Sequence, residues 1–202
     1  MRRAGFVLAG GQSSRMGQDK ARLVWNSHFL IEDVAARVSN VAGNVALVGQ
    51  PERYSDLNLE CLADLHPGLG PLAGIEAALA SGRGELNLIL ACDMPDVRSA
   101  WLEHLLNTAD RTGALCVVTR ENTGTVHPLC AVYRTACLDA VRARLESARL
   151  KLREFILDLN PYFLETQEPI CNINTPDDWT NINHGRRRLS ALHRVSERQQ
   201  GV

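Results

Sequence analysis

A segment near the N-terminus combines glycines with cationic side chains, a composition that suits binding of a phosphate chain. Three glycines, two serines and two cations occupy the eleven positions from Gly10 to Lys20. Glycines let the backbone approach a ligand and present amide donors, while Arg15 and Lys20 would add charge-assisted hydrogen bonds. The spacing fits neither a P-loop nor a dinucleotide fingerprint. The segment therefore predicts phosphate binding, with an ordinary glycine-rich surface loop as the alternative.

A carboxylate directly follows one of the apolar runs of the chain. Asp93 comes directly after Leu88–Cys92 and is followed by Met94 and Pro95. A carboxylate at the end of a buried strand can hold Mg²⁺, which typically takes one or two carboxylates plus phosphate oxygens. The alternative is a turn-forming aspartate ahead of a proline loop. Combined with the cationic glycine loop, Asp93 predicts phosphoryl or nucleotidyl transfer.

A second loop rich in glycine and proline leads into a predicted helix. It runs from Asp64 to Gly74 and contains Gly70 immediately before Pro71. Helix N-termini favour anions and polar ligand edges. The alternative for Asp64 is loop polarity or capping, and for Gly70 it is turn geometry.

These segments are separated by apolar runs that alternate with stretches of helical period. Strands are predicted at 5–9, 45–48, 86–92, 115–119 and 129–133, and helices at 29–41, from Pro71, at 102–109, at 138–145 and from Thr175. Such alternation predicts an α/β fold with an open, mostly parallel, Rossmann-like sheet and helices on both faces. Ligands of such sheets bind beyond the carboxyl ends of the strands, which is where the three segments fall.

Composition limits the function classes further. The chain has 202 residues and a formal net charge of -1, which argues against a nucleic-acid binder. No apolar run approaches the ~20 residues that cross a bilayer. The six cysteines form no C-x-x-C pair, and the apolar surroundings of Cys92, Cys116 and Cys130 predict buried free thiols there and a cytoplasmic protein. The histidines show no zinc-ligand spacing.

Charge is uneven along the chain. The 22 basic residues include only two lysines, Lys20 and Lys151, so a lysine in the glycine loop stands out from the arginine background. The end of the chain from Gly185 is rich in arginine. We therefore expect one domain over residues 1–184 and a basic, flexible tail over 185–202.

Several segments together carry a family resemblance. In chain order they are Leu8-Ala9-Gly10-Gly11, Ser14-Arg15-Met16-Gly17, Asp19-Lys20, Gly70-Pro71-Leu72-Ala73-Gly74, Cys92-Asp93-Met94-Pro95, His127-Pro128-Leu129, Leu152-Arg153-Glu154-Phe155 and Asn172-Ile173-Asn174-Thr175-Pro176-Asp177. In them the chain resembles the molybdenum cofactor guanylyltransferases, which belong to a wider nucleotidyltransferase group with a Rossmann-like sheet. The match extends from about residue 4 to about residue 180.

The resemblance implies roles for individual residues. Catalytic roles fall to Lys20, Arg15 and Asp93, and Asp93 would be the Mg²⁺ ligand. The positions expected to bind the nucleotide are Leu8, Ala9, Gly10, Gly11, Lys20, Gln50, Asp64, Gly70 and Asp93. Asn172 and Asn174 match a segment associated with the pterin side. Gln50 departs from the family, which usually has asparagine after the second strand.

The implied reaction is transfer of GMP from GTP to the phosphate of molybdopterin or the molybdenum cofactor, with release of pyrophosphate. A molybdoenzyme or its chaperone would be a further partner, and neither nucleic acid nor a membrane is expected. One alternative is a cytidylyl- or sugar-phosphate nucleotidyltransferase. Another is a nucleotide-binding partner of a molybdoenzyme without transferase activity.

Overall fold

The apolar runs of the sequence form one seven-stranded sheet. The computed structural model describes residues 1–10, 19–25 and 27–182. The strands of the chain are β1 Arg3–Leu8, β2 Val24–Trp25, β3 His28–Phe29, β4 Ala46–Gly49, β5 Cys61–Ala63, β6 Leu86–Ala91, β7 Cys116–Glu121, β8 Val126–Arg134 and β9 Tyr162–Thr166. Strands β2 and β3 pair as a separate hairpin.

The large sheet is mostly parallel. Its strand order is β5-β4-β1-β6-β8-β7-β9, and only β8 runs against its neighbours. The predicted α/β architecture is confirmed. Strands β5 and β9 were not predicted: β5 has three residues, and β9 lies at an edge and alternates buried with exposed positions, so neither forms a long apolar run.

Helices cover both faces of this sheet. They are α1 Leu30–Ala42, α2 Pro71–Ala80, α3 Ser99–Thr112, α4 Leu138–Glu146 and α5 Leu152–Asp158. Helices α1 and α3 pack on one face, and α2, α4 and α5 pack on the other. Residues 176–182 are helical as well, which agrees with the helix start predicted at Thr175.

A glycine in the first strand permits close packing of α1. A Cβ placed on Gly5 would lie 2.3 Å from Val38 Cγ1 and 2.7 Å from the carbonyl oxygen of Asn44. No side chain larger than hydrogen fits there without movement of the backbone. Strand β1, which leads to the candidate site, is therefore held at a short distance from α1.

Of the three cysteines predicted to be buried free thiols, Cys116 and Cys130 are fully buried and Cys92 is partly buried. All six cysteines are free thiols. Burial raises the pKa of the Cys92 thiol, next to Asp93, to about 12, so this thiol stays protonated and is a poor nucleophile. Among the described residues, no helix is long and apolar enough to cross a membrane. The predicted tail over 185–202 lies outside the described residues.

Candidate active site

Several of the predicted site residues follow the carboxyl ends of neighbouring strands of the sheet. Strands β4 and β6 flank β1 and run parallel to it, so the carboxyl ends of all three lie side by side. Gly10, Gln50 and Asp93 follow these ends. Backbone hydrogen bonds continue past the strands, from Ala9 N–H to Val48 (2.9 Å) and from Cys92 N–H to the carbonyl of Leu8 (3.1 Å). Backbone pairing therefore extends to Ala9 and Cys92, the residues directly before Gly10 and Asp93.

Lys20 reaches this edge from a short helical turn. Residues Lys20–Arg22 form a 3-10 turn, and Asp19 caps it by accepting the Ala21 N–H at 3.1 Å. The Nζ atom of Lys20 donates to Asn174 Oδ1 at 2.9 Å and lies 3.8 Å from Asp93 Oδ2. The side chains of Lys20 and Asp93 are only 17% and 24% exposed. Their charges are thus less screened than those of surface ion pairs.

The carboxylate of Asp93 is held between burial and a neighbouring cation. Burial raises the pKa of Asp93 above its ordinary value, and the charge of Lys20 acts in the opposite direction. The carbonyl of Asp93 accepts the Ile173 N–H at 2.9 Å, which ties the asparagine segment to the end of β6. Asp93 therefore presents a hard oxygen ligand at the sheet edge.

This donor set fits a divalent cation that shares its coordination with substrate. No group of three or more His, Cys, Asp or Glu side chains within residues 1–10, 19–25 and 27–182 could enclose a metal. A metal held by an all-protein cage is therefore not supported by the described part of the chain. A single carboxylate such as Asp93 can still take part in holding a divalent cation whose other ligands are substrate oxygens and water.

The two asparagines take different positions. Asn174 contacts Lys20 directly, a contact that the sequence did not predict. Its backbone N–H, like that of Thr175, donates to Asp178 Oδ2, so the start of the last described helix fixes it. The Oδ1 atom of Asn172 is buried, and no donor among the described residues reaches it. Asn172 therefore offers a buried hydrogen-bond acceptor directly before Ile173, the residue that bonds to Asp93.

Asp64 and Gly70 lie on the β5 side of the same edge. Asp64 follows β5, and its carboxylate accepts the His66 N–H at 2.9 Å, which makes it a turn former in this state. Gly70 has φ 78° and ψ −164° immediately before helix α2, a conformation that requires glycine. Asp64 and Gly70 thus lie between β5 and α2, whereas Lys20 and Asp93 meet beyond the end of β6. Gly11 and Arg15 lie outside the described residues.

Three residues near the site were assigned no role by the sequence analysis. Asp19 belongs to the quoted Asp19-Lys20 pair, but its capping role depends on a tertiary partner, Arg53, whose Nη2 lies 2.8 Å from Asp19 Oδ2. Tyr54 is 1% exposed and donates its hydroxyl to the carbonyl of Ala9 at 3.0 Å. An aromatic after β4 carries no motif signal, so only the contacts identify it.

A pair formed by His127 and Glu121 supports the segment that carries Asn172 and Asn174. His127 Nε2 lies 2.7 Å from Glu121 Oε1, and this oxygen also accepts the Ile170 N–H at 3.0 Å. The Ile170 bond, followed by His127, lowers the pKa of Glu121. The sequence singled out His127-Pro128-Leu129 only as a matching segment. In the structure, His127 and Glu121 anchor the chain just ahead of Asn172 and Asn174.

Comparison with known proteins gives a consistent result. A family model described as the MobA-like NTP transferase domain matches residues 5–161. A probable molybdenum cofactor guanylyltransferase of Carboxydothermus hydrogenoformans is 34% identical over 87% of this chain and 92% of its own length. A molybdenum cofactor guanylyltransferase of Xanthomonas euvesicatoria is 31% identical over 89% of this chain and 94% of its own.

Solved structures show the same relationship in three dimensions. The structure of molybdopterin-guanine dinucleotide biosynthesis protein A from Archaeoglobus fulgidus superimposes with a TM-score of 0.80 at 26% identity, covering 92% of this chain and 99% of that one. A CMP:2-keto-3-deoxy-manno-octonic acid synthetase complexed with CTP reaches 0.71 at 16% identity, covering 95% of this chain and 99% of that one. The second likeness concerns the fold alone.

Proposed function

Because the chain belongs to the MobA-like NTP transferase family, we propose that it transfers GMP from GTP to the terminal phosphate of molybdopterin. An oxygen of the acceptor phosphate attacks the α-phosphorus of GTP, the bond from that phosphorus to the bridging oxygen of the β-phosphate breaks, and pyrophosphate leaves. The products are the guanine dinucleotide form of the cofactor and pyrophosphate. No covalent enzyme intermediate is needed.

One observation carries this proposal: Lys20, Asp93 and Asn174 converge at the carboxyl edge of β1 and β6. Transfer between phosphates requires mainly positioning and neutralisation of negative charge. The compact ammonium of Lys20 serves as a point charge for phosphate oxygens. Arg15, from the glycine loop, adds a second cation. Asn174 orients Lys20 by accepting a hydrogen bond from its ammonium group.

Asp93 is the residue that we assign to hold the divalent cation, which we take to be Mg²⁺. When bound, such an ion neutralises phosphate charge and orients the triphosphate. Asp93 suits this task because its carboxylate is largely buried and already faces a cation. In the protein alone, Lys20 occupies the neighbouring position and balances the carboxylate.

The nucleotide is assigned to the β1-β4-β5 side of the edge. Leu8, Ala9, Gly10 and Gly11 line it, and Gln50, Asp64 and Gly70 lie towards the guanosine. The side chains of Leu8 and Ala9 are buried, so any contact with the base involves their backbone groups. Asn172 and Asn174 lie on the pterin side of the reacting phosphates.

The proposal extends to the setting of the reaction. The acceptor is molybdopterin or the molybdenum cofactor, and a molybdoenzyme or its chaperone receives the product. Six free thiols agree with a cytoplasmic location. Residues 1–184 form the transferase domain in this proposal, and residues 185–202 form a basic tail.

The experiment is a pyrophosphate-release assay with purified full-length protein, Mg²⁺ and a molybdopterin source. GTP, CTP, UTP and ATP are compared at equal concentration, and each is also titrated calorimetrically. Of the four nucleotides, we expect only GTP to release pyrophosphate, and only when the molybdopterin acceptor is present. Preference for CTP would reject the guanylyl assignment. GTP binding without release in the presence of acceptor would reject the transferase assignment.

A further inference from the structure

We propose that Arg53 and Tyr54 are positioning residues that join the two ends of the glycine loop through Asp19 and thereby hold Lys20 in its reactive place. Asp19, Arg53 and Tyr54 are called the loop clamp below. This inference rests on the proposed function, because it assigns the clamp a role in nucleotidyl transfer.

Tyr54 contacts both ends of the loop with one hydroxyl group. The hydroxyl donates to the carbonyl of Ala9 at 3.0 Å and lies 3.4 Å from Asp19 Oδ2. Ala9 immediately precedes the glycine loop, and Asp19 immediately precedes Lys20. The buried Tyr54 side chain therefore bonds to Ala9, just ahead of Gly10, and contacts Asp19, just ahead of Lys20.

The protonation state of Tyr54 suits this task. Burial, followed by the charge of Asp19, raises the pKa of the Tyr54 hydroxyl well above its ordinary value. The hydroxyl therefore keeps its proton across the working pH range, with one proton to donate. The shorter distance gives that proton to Ala9, and Asp19 relies on Arg53 for its principal bond.

Arg53 completes the binding of Asp19. Its Nη2 lies 2.8 Å from Asp19 Oδ2, while Asp19 Oδ1 accepts the Ala21 N–H at 3.1 Å. Both oxygens of this carboxylate are thus engaged, and its side chain is 18% exposed. Because Oδ1 caps the turn that carries Lys20, the orientation of the Asp19 carboxylate sets the direction of that turn.

A second set of contacts docks the two turns on each other. Arg22, in the Lys20 turn, donates to the carbonyl of Arg53 and to both carboxylate oxygens of Asp56. Its guanidinium also lies 5.9 Å from the centre of the Tyr54 ring. The turn Pro51–Arg53 directly follows Gln50, on the guanosine side. The clamp therefore connects the expected guanosine side to the lysine that faces the phosphates.

Catalysis by charge neutralisation is sensitive to such positioning. A misplacement of about 1 Å can cost on the order of a hundredfold in rate. Lys20 must reach both Asn174 and the neighbourhood of Asp93, and it does so only while its turn keeps its orientation. Loss of the clamp is therefore expected to lower kcat more than it raises KM for GTP.

The test uses Tyr54→Phe and Arg53→Gln in the full-length chain. Tyr162→Phe and Arg83→Gln are matched controls. Tyr162 is 41% exposed at the start of β9, and Arg83 pairs with Glu60 ahead of the amino-terminal ends of β5 and β6. We expect kcat for pyrophosphate release to fall about tenfold or more in each clamp variant, with KM for GTP changed far less. The control variants should retain wild-type kcat.

Further measurements separate positioning from loss of folded protein. The fraction of competent molecules is obtained from the GTP-binding stoichiometry, and kcat is expressed per competent molecule. Arg53→Lys should recover much of the rate, because one ammonium can replace the single Nη2 contact with Asp19. Wild-type kcat per competent molecule in both Tyr54→Phe and Arg53→Gln would overturn the proposal.

A readout without turnover keeps the proposal testable if the assigned reaction is wrong. The Ala21 amide, which Asp19 caps, should exchange with deuterium faster in Arg53→Gln than in wild type or Arg83→Gln. Absence of pyrophosphate release by wild-type protein would reject the proposed function, whereas unchanged Ala21 exchange would reject the clamp.

Discussion

The Nζ atom of Lys20 lies 3.8 Å from Oδ2 of Asp93, although the two residues belong to distant segments of the chain. The parallel pairing of β1 with β6 brings the ends of both strands together, and the capped turn after the glycine loop delivers Lys20 to that point. The ammonium of Lys20 can contact phosphate oxygens directly, whereas the carboxylate of Asp93 would reach them through a bound divalent cation. The pair thus forms the chemical centre of the proposed site.

Replacement of Lys20 tests that centre most directly. In Lys20→Ala we expect kcat for pyrophosphate release to fall by about 10²–10³, the usual cost of removing one charge-stabilising contact. Circular dichroism should show an unchanged fold, because Lys20 lies in a short 3-10 turn outside the large sheet and its covering helices. The matched control is Lys151→Ala, the other lysine, whose side chain is 81% exposed. Wild-type turnover by Lys20→Ala would refute the role given to it.

Removal of the Asp93 charge should abolish metal-dependent turnover. We expect Asp93→Asn to bind Mn²⁺, used as a spectroscopic substitute for Mg²⁺, at least tenfold more weakly in the presence of GTP, because an amide is a poor ligand for a hard cation. Electron paramagnetic resonance measures the free ion. Asp110→Asn, at an exposed position of α3, is the control. Chelation should likewise stop the wild-type reaction, and added Mg²⁺ should restore it.

Two glycines near the first strand should fail in different ways when replaced by alanine. Gly5→Ala forces a Cβ against Val38 and Asn44, so we expect a loss of about 1–3 kcal/mol in the free energy of unfolding, measured with urea. Around Gly10 no atom of the described residues lies within 4 Å of an added Cβ. Gly10→Ala should therefore unfold like wild type but bind GTP more weakly. Equal stability of the two variants would contradict this account.

The hydrogen bonds that Glu121 accepts from Ile170 and shares with His127 should make the free energy of unfolding depend on pH in the acid range. The folded-state pKa of Glu121 is lowered, chiefly by the Ile170 N–H, so its contribution is complete above the unfolded value of about 4.3. It is lost as pH falls through the lower folded value. We expect Glu121→Gln to be less stable than wild type at pH 7, with the difference in stability narrowing as the pH falls below about 5. Urea midpoints measure this, and Glu103→Gln, on the exposed side of α3, should show no such trend.

Local patterns in the sequence were sufficient for the architecture. Continuous apolar runs mark strands that are buried on both faces, and helical periodicity marks the covering helices. These patterns are visible in the sequence because each buried position requires an apolar side chain. The same patterns predict that the loops following β1 and β6 lie at one edge of the sheet. The same patterns missed β5 and β9, whose pairing depends on neighbouring strands rather than on their own residues.

The sequence alone determined the fold class, the family and the candidate residues Lys20 and Asp93. The tertiary structure decided which residues hold them. It placed Asn174 against Lys20, joined Ala9 to Asp19 through Tyr54, and used His127 with Glu121 to anchor the asparagine segment. Each of these contacts joins segments that no local period relates, because a hydrogen bond depends on the position of its partner in space and not on the spacing of residues along the chain.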